Sequence, residues 1–469
     1  MRKVEYSLLI LFLVLGVFLR LYKIDSPIAD WHSWRQADTA AVTRNYLKLG
    51  INIFYPRYDD FSDVSGKGLF NLDGYRFVEF PIFNLIHFTL VKFFPEFTLE
   101  YLGRMTSVIA ATVTSLALYV IVRRNAGGLA GVMAATFYSI LPYNVFFTRL
   151  VLPEPLMVCL AVLTLLCFDN WIRDKGNFWL WFGMVIGALA VLVKPMAVFL
   201  LLPFAWQLWK KFGKNVIFQK QLWVAWIVMG APFLAWRAWS HLYPQGIPAS
   251  NWLMNGNHIR FKGAWFQWIF GERIGKLILG IWGIFPFLEG IASGGAYLFS
   301  WFGGALLYLI VFATGNVHHD YYQILIIPAI SILLGVGAAS IIKKTFLDTA
   351  SFVKTVLLFA SITLMWAFSW FEVRGNYQIN RYAIVMAGKA VDRLIPQDAI
   401  VIAPYDGDTA FLYQNNRRGF PIMPLPVEEM PTKFGAQYYV SVNYDDNTNH
   451  VMSKYQVLEK TKDYVVVKL

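Results

Sequence analysis

Cysteine is almost absent: the chain holds two in 469 residues. Cys159 and Cys167 lie within one apolar run. Their spacing carries no disulfide frame and no metal motif, and core packing accounts for the pair. Charge is scarce too, at 15% of residues against 57% hydrophobic and 17% aromatic. That balance excludes an ordinary water-soluble domain. A small-residue cleavage site is missing after the first apolar run, where LYKIDSP follows. The run therefore reads as a retained span and not as a cleaved signal peptide. No clear internal repeat of the transporter kind is visible. Long apolar runs are missing from the last hundred residues.

What is present is a succession of such runs over the first 371 residues. Tyr6 to Leu21 and Tyr101 to Val122 are examples. Stretches this long and this poor in charge are costly to expose to water and long enough to cross hydrocarbon as helices. The net charge of +12 sits largely in short clusters at their ends: Arg2 and Lys3, Arg123 and Arg124, Arg173 and Lys175, Lys210 with Lys211 and Lys214, Lys343 and Lys344. Such clusters mark cytoplasmic helix ends, and no nucleic-acid partner is expected.

With the N-terminus inside, residues 23–80 form a long outer loop. Phe80 to Phe94 is short, is interrupted by Asn84 and His87, and ends near Lys92. Counting it as a crossing would throw Arg123, Arg124 and every later basic cluster outside. It reads instead as an interfacial or partial helix. Eleven transmembrane helices follow from this register, with a second long outer loop at residues 240–272. Residues 1–372 then form the membrane domain, and residues 373–469 a small outer α/β domain. In the latter, AIVIAPYDGDTAFLYQ, QYYVSVNY and KDYVVVKL supply strand-like runs, and 381–395 a helix.

Charges near a bilayer are costly and therefore informative. They gather in four places on the expected outer side. The first loop holds Asp30, His32, Arg35, Asp38 and Arg44, then Glu79 directly before Phe80 and Pro81. FFTRLVLPEP holds Arg149 and Glu154; ALAVLVKPMAV holds Lys194; GNVHHDYYQ holds His318, His319, Asp320 and Tyr321. Cations such as Arg35, Arg149 and Lys194 suit phosphate oxygens. A carboxylate suits proton removal from a hydroxyl. Glu79 with a histidine suits a divalent cation.

At these residues the chain resembles the membrane glycosyltransferases of the C-type fold, which take a sugar from a polyprenyl-phosphate carrier at the outer face. The group includes family 39, the protein O-mannosyltransferases and lipid A aminoarabinose transferase. The resemblance spans roughly residues 5–340 and rests on ordered short motifs: EFP at 79–81, LPEP at 152–155, KP at 194–195 and HDYY at 319–322. It implies a catalytic acid in the first outer loop, before or within a helix that ends in an arginine, here Arg44 in ADTAAVTRNY. The family's acidic pair is replaced by Arg35 and Gln36, which leaves Asp30 and Asp38 as candidates for the base, Asp30 preferred. Glu154 matches the acid of the second outer loop. Lys194 is implied at the phosphate, with His319 and Tyr321 beside it, and His258 as a rival metal ligand.

The expected activity is inverting transfer of a sugar from polyprenyl phosphate to an acceptor hydroxyl on a glycan, lipid or protein, at the outer face of the cytoplasmic membrane. The expected partners are the lipid-linked donor, membrane lipid and the acceptor; a divalent cation is the one cofactor in view. The rival expectation is a transporter or flippase of a lipid-linked sugar, which would place polar residues at mid-membrane.

Overall fold

The structure, a computed structural model, describes residues 2–469. Met1 lies outside the described residues, as does the side chain of Arg2, one of the cations expected at the inner end of the first span. In chain order come α1 (Arg2–Arg20), α2 (Ser33–Leu49), α3 (Ile82–Phe93), α4 (Leu99–Ala126), α5 (Gly128–Ile140), α6 (Pro142–Phe147), α7 (Glu154–Ile172) and α8 (Phe178–Val193). Further helices follow to Val373, and the C-terminal part adds five strands.

Among the described residues, five helical stretches are long and apolar enough to cross a membrane, and five apolar helices of 10–17 residues accompany them. Eleven continuous spans were expected. Several apolar runs of the sequence are broken instead of continuous. Residues 130–147 bend at Leu141, because Pro142 forces its neighbour out of the helical region. Residues 196–209 break at Leu201, ahead of Pro203. Residues 274–288 split into a π-helix, Gln267–Ile278, and a helix starting at Ile284.

The chain divides into two compact units. The helical unit comprises residues up to Ile24, Met105–Trp236 and Ser250–Gly375. The second unit comprises Asp25–Arg104, Arg237–Ala249 and Asn376–Leu469. Residues of the first long loop thus group with the C-terminal residues.

Within the helical unit, the stretch 320–344 is the axis: its apolar window is 94% buried, against 22% for Lys220–Ser240. Small residues let neighbours approach it closely. A side chain at Gly335 would strike the backbone of Ala134 in α5, and one at Gly337 the carbonyl of Pro286. The outer helices expose Ile227 and Leu234, as a lipid-facing surface does.

In the second unit, β1 (Ile400–Ile402), β2 (Arg418–Phe420), β3 (Ala436–Ser441), β4 (Gln456–Lys460) and β5 (Val465–Lys468) form one sheet in the order β2-β1-β3-β5-β4. β1 is parallel to both neighbours, while β5 is antiparallel to β3 and β4. The first loop extends this sheet. Gly419 donates its N–H to Asp59 O at 2.9 Å, and Phe61 donates to Gly419 O at 2.8 Å. Phe61 then enters the apolar core with Ile402, Phe420 and Val467.

Candidate active site

α2 is polar yet mostly buried, which is unusual for a helix at a protein surface. Its buried side chains include Arg35, Gln36, Asp38, Thr43 and Asn45. Unpaired charges at such positions would be strongly destabilising, and each one has a partner. Arg35 pairs with Glu79, Arg44 with Asp59, and Asp38 with Arg76 at 2.8 Å. Arg44 also donates to Tyr413 O at 2.7 Å. The loop 57–79 thus supplies countercharges along the length of the helix. His32 caps α2 in the left-handed region, with φ 54°.

The same logic explains α3. Its polar residues Asn84 and His87, which interrupt the apolar run, are both buried. Asn84 donates to Thr39 O at 2.7 Å, and His87 Nε2 lies 2.7 Å from Leu99 O. At 12 residues, α3 is about 18 Å long, short of a hydrocarbon core of about 30 Å.

Asp30 and Asp38 occupy different settings. Asp30 is 0% exposed. Gln36 Nε2 donates to it at 2.6 Å, and Arg104 stands 3.7 Å away. Asp38 lines a cavity of about 310 Å³ together with Trp34, Tyr58, Asp60, Arg76, Asp408 and Thr409. The Thr409 hydroxyl donates to Asp38 at 2.7 Å. Burial pushes the Asp38 carboxyl up, against the opposing pull of Arg76 and Thr409. Burial also pushes Asp60 up to about 6, despite the Ser62 N–H donated to it at 2.8 Å. Asp408 is likewise raised by burial to about 6, although the Ala410 N–H reaches it at 2.7 Å. A carboxylate made more basic than usual is suited to accept a proton near neutral pH.

The helical unit holds a second polar group. α7 and α8 form an antiparallel hairpin of 19 and 16 residues. Helices of similar length bring the start of one beside the end of the other. Pro153 and Pro155 flank Glu154 at the start of α7, positions where a missing N–H is harmless. Pro195 ends α8 at Lys194, whose backbone is extended. Glu154 and Lys194 meet there in a buried ion pair. Acid at a helix N-terminus and base at a C-terminus also match the helix dipoles. Lys194 Nζ lies 5.7 Å from the Tyr322 ring centre. Glu154 Oε2 has no hydrogen bond among the described residues. Arg149 is fully buried and donates to Lys23 O at 3.0 Å. Nearby in sequence to Tyr322, Asp320 stands 4.0 Å from Arg273, and Tyr321 is buried.

The expected cation ligands do not assemble. Glu79 belongs to the second unit and is engaged by Arg35; His258, His318 and His319 belong to the helical unit. His258 and His318 are exposed. His318 and His319 lie against Trp252, with ring centres 5.9 and 5.5 Å away. Among the described residues, no three His, Cys, Asp or Glu side chains gather as a metal site would require. Arg35, expected at the phosphate, is committed to Glu79. Sequence reasoning missed Tyr58, Asp60, Arg76, Asp408 and Thr409. The Asp-Gly-Asp following a strand was visible at 406–408, but nothing in it named Asp38 as a neighbour.

Residues 94–239 match the family model described as dolichyl-phosphate-mannose-protein mannosyltransferase. The matched segment contains LPEP and KP. No curated protein matches the chain by sequence. Its fold is similar to that of ArnT from Cupriavidus metallidurans bound to undecaprenyl phosphate, with a TM-score of 0.68, 12% identity, and coverage of 98% of this chain and 97% of that one. It is also similar to the oligosaccharyltransferase AglB from Archaeoglobus fulgidus in complex with an inhibitory peptide and a dolichol-phosphate: TM-score 0.57, 11% identity, 94% of this chain and 69% of that one. The Archaeoglobus fulgidus oligosaccharyltransferase in complex with Zn and sulfate gives a TM-score of 0.56 at 13% identity, over 92% of this chain and 67% of that one. The expected likeness to C-type fold membrane glycosyltransferases is met in the fold.

Proposed function

We propose that this chain is a membrane glycosyltransferase that moves a sugar from a polyprenyl-phosphate carrier to an acceptor hydroxyl at the outer face of the membrane. The observation that carries the reading is the buried Glu154–Lys194 pair, five residues beyond the buried Arg149. Arg149 and Lys194 are buried cations of the helical unit, and cations of this kind suit phosphate oxygens. The ArnT structure whose fold the chain shares holds undecaprenyl phosphate, which supports a lipid-linked donor.

The helical unit is assigned the carrier phosphate. Lys194 and Arg149 neutralise its oxygens, and Glu154 fixes the Lys194 ammonium. Tyr321 and Tyr322 furnish the wall near Lys194. The second unit is assigned the proton acceptor. Asp38 takes the proton as the acceptor oxygen bonds to the anomeric carbon. The bond to the phosphate oxygen breaks, its electron pair leaves with the phosphate, and the anomeric centre inverts. Preorganised cations stabilise the charge that develops on the leaving group. Asp38 is preferred to Asp30 because it lines a cavity, whereas Asp30 is sealed between Gln36 and Arg104. The archaeal oligosaccharyltransferase structure contains Zn, but here Glu79 is held by Arg35 and no step is assigned to a cation.

The test is turnover of the purified chain in lipid nanodiscs with a panel of polyprenyl-phosphate sugars, read as release of polyprenyl phosphate. Turnover is expected with a lipid-linked donor and not with a soluble nucleotide sugar alone. A protein that used only nucleotide sugars would overturn the reading.

A further inference from the structure

The cavity that holds Asp38 contains side chains for which the reaction above has no use. Asp408 lies in the loop after β1. At β1 the sheet order switches sides: the chain leaves for β2 on one flank, and β3 pairs on the other. Open α/β sheets take ligands beyond the carboxyl end of such a strand. Asp60 reaches the cavity from the first loop, and Trp34 from the first turn of α2. Tyr58 is 1% exposed and lines the same cavity, with its hydroxyl near the Asn71 side chain. A phenol at a cavity wall can donate to or accept from a ligand hydroxyl.

The lining also says which part of a substrate belongs here. Asp38, Asp60, Asp406 and Asp408 face one cation, Arg76. That surplus of negative charge repels phosphate. It accepts hydrogen bonds readily from neutral hydroxyls, two or more per carboxylate. Trp34 adds an aromatic wall against which the apolar face of a ring can pack. At about 310 Å³, the space is at the small end for a small-molecule site.

We infer that this cavity is a saccharide subsite, in which Asp408 and Tyr58 bind the hydroxyls of a neutral sugar ring and help set which sugar is accepted. The inference rests on the transferase reading and gives the C-terminal sheet a direct part in it. The ring comes either from the donor's glycosyl group or from a glycan acceptor, since both present the same hydroxyl chemistry.

The test uses the full chain in nanodiscs, with the variants Asp408→Asn and Tyr58→Phe. Donor and acceptor concentrations are varied separately. KM is expected to rise about tenfold or more for one substrate, with a smaller change in kcat. The substrate affected identifies the source of the ring. Binding of sugar-free polyprenyl phosphate should stay unchanged, which a general loss of structure would not allow. If both variants are folded and both KM values stay within twofold of wild type, the subsite is overturned while the transferase reading stands. Should the wild-type chain turn over no lipid-linked sugar, the transferase reading fails, and saturation-transfer NMR with methyl glycosides then decides the subsite. Signal lost in both variants supports it, and no signal in the wild-type chain overturns it.

Discussion

Arg76 donates to Asp38 at 2.8 Å, joining the far end of the first loop to the first half of α2. The pairing does two things. It fixes one carboxylate oxygen of Asp38 while Thr409 fixes the other at 2.7 Å. It also lets a charged side chain sit 4% exposed without unfolding the helix. Burial still prevails, and the Asp38 carboxyl remains raised.

Asp38→Asn should therefore abolish most turnover, by about 10²–10⁴-fold, the range that a general base contributes. The carrier should still bind. Asp30→Asn should behave differently: it weakens the contact with Arg104 and lowers thermal stability, while turnover per folded molecule stays within a few-fold. Paired measurements of turnover and thermal midpoint separate the two. A large, purely catalytic loss at Asp30 with a normal Asp38 variant would reverse the assignment.

Lys194 and Glu154 are both nearly buried. Removing one partner leaves the other charge uncompensated, at a cost of about 3–5 kcal/mol. Lys194→Ala should lower the thermal midpoint and weaken carrier binding together. The double variant Lys194→Met with Glu154→Gln should recover most of the stability and none of the carrier affinity. Titration with polyprenyl phosphate on all three variants reads this directly. A double variant that binds the carrier like wild type would remove Lys194 from the phosphate site.

Asp60 and Asp408 supply a pH signature. Each is held near 6 by burial, against an ordinary value of 3.8. Below about pH 4 both are protonated, folded or unfolded, and stability is undiminished. Between pH 4 and 6 the folded chain keeps protons that the unfolded chain has lost. Stability therefore falls as pH rises through this window, by up to roughly 3 kcal/mol at Asp60 and less at the partly exposed Asp408. Asp38 and His32 also act on Asp408, in opposite directions. Asp408→Asn should raise the thermal midpoint at pH 7.5 and lose that advantage at pH 4. An equal gain at both values would show that Asp408 is not strained by its charge.

Sequence patterns located most helices because apolar runs, prolines and basic ends act locally. The run Tyr101 to Val122 lies within the helix Leu99–Ala126, and the helix expected at 381–395 is observed at Tyr382–Leu394. β2 and β4 escaped notice. RGF is too short to carry a period, and QVLEK is largely exposed. What stayed hidden was pairing over distance. Glu79 before its proline looked like a ligand, because nothing local shows that Arg35 reaches it. Asp408 drew no reading of its own, because its nearness to Asp38 depends on how the C-terminal sheet packs with α2. The charges were legible as unusual, and their partners were not.

The final prediction concerns sidedness, and α3 is its hinge. A helix of 12 residues spans about 18 Å and does not cross a core of about 30 Å. It lies wholly in the unit formed by the first loop and the C-terminal residues, so those segments should share one side of the membrane. Every basic cluster after α3 then falls on the other side. Cysteines replacing the exposed Lys67, Lys262 and Lys462 should react with a membrane-impermeant thiol reagent in intact cells. Cysteines replacing the exposed Lys175, Lys214 and Lys344 should react only after lysis. The two native cysteines are buried, so the background should be low. Labelling of Lys175→Cys and Lys344→Cys in intact cells, with Lys262→Cys and Lys462→Cys protected, would mean that α3 crosses.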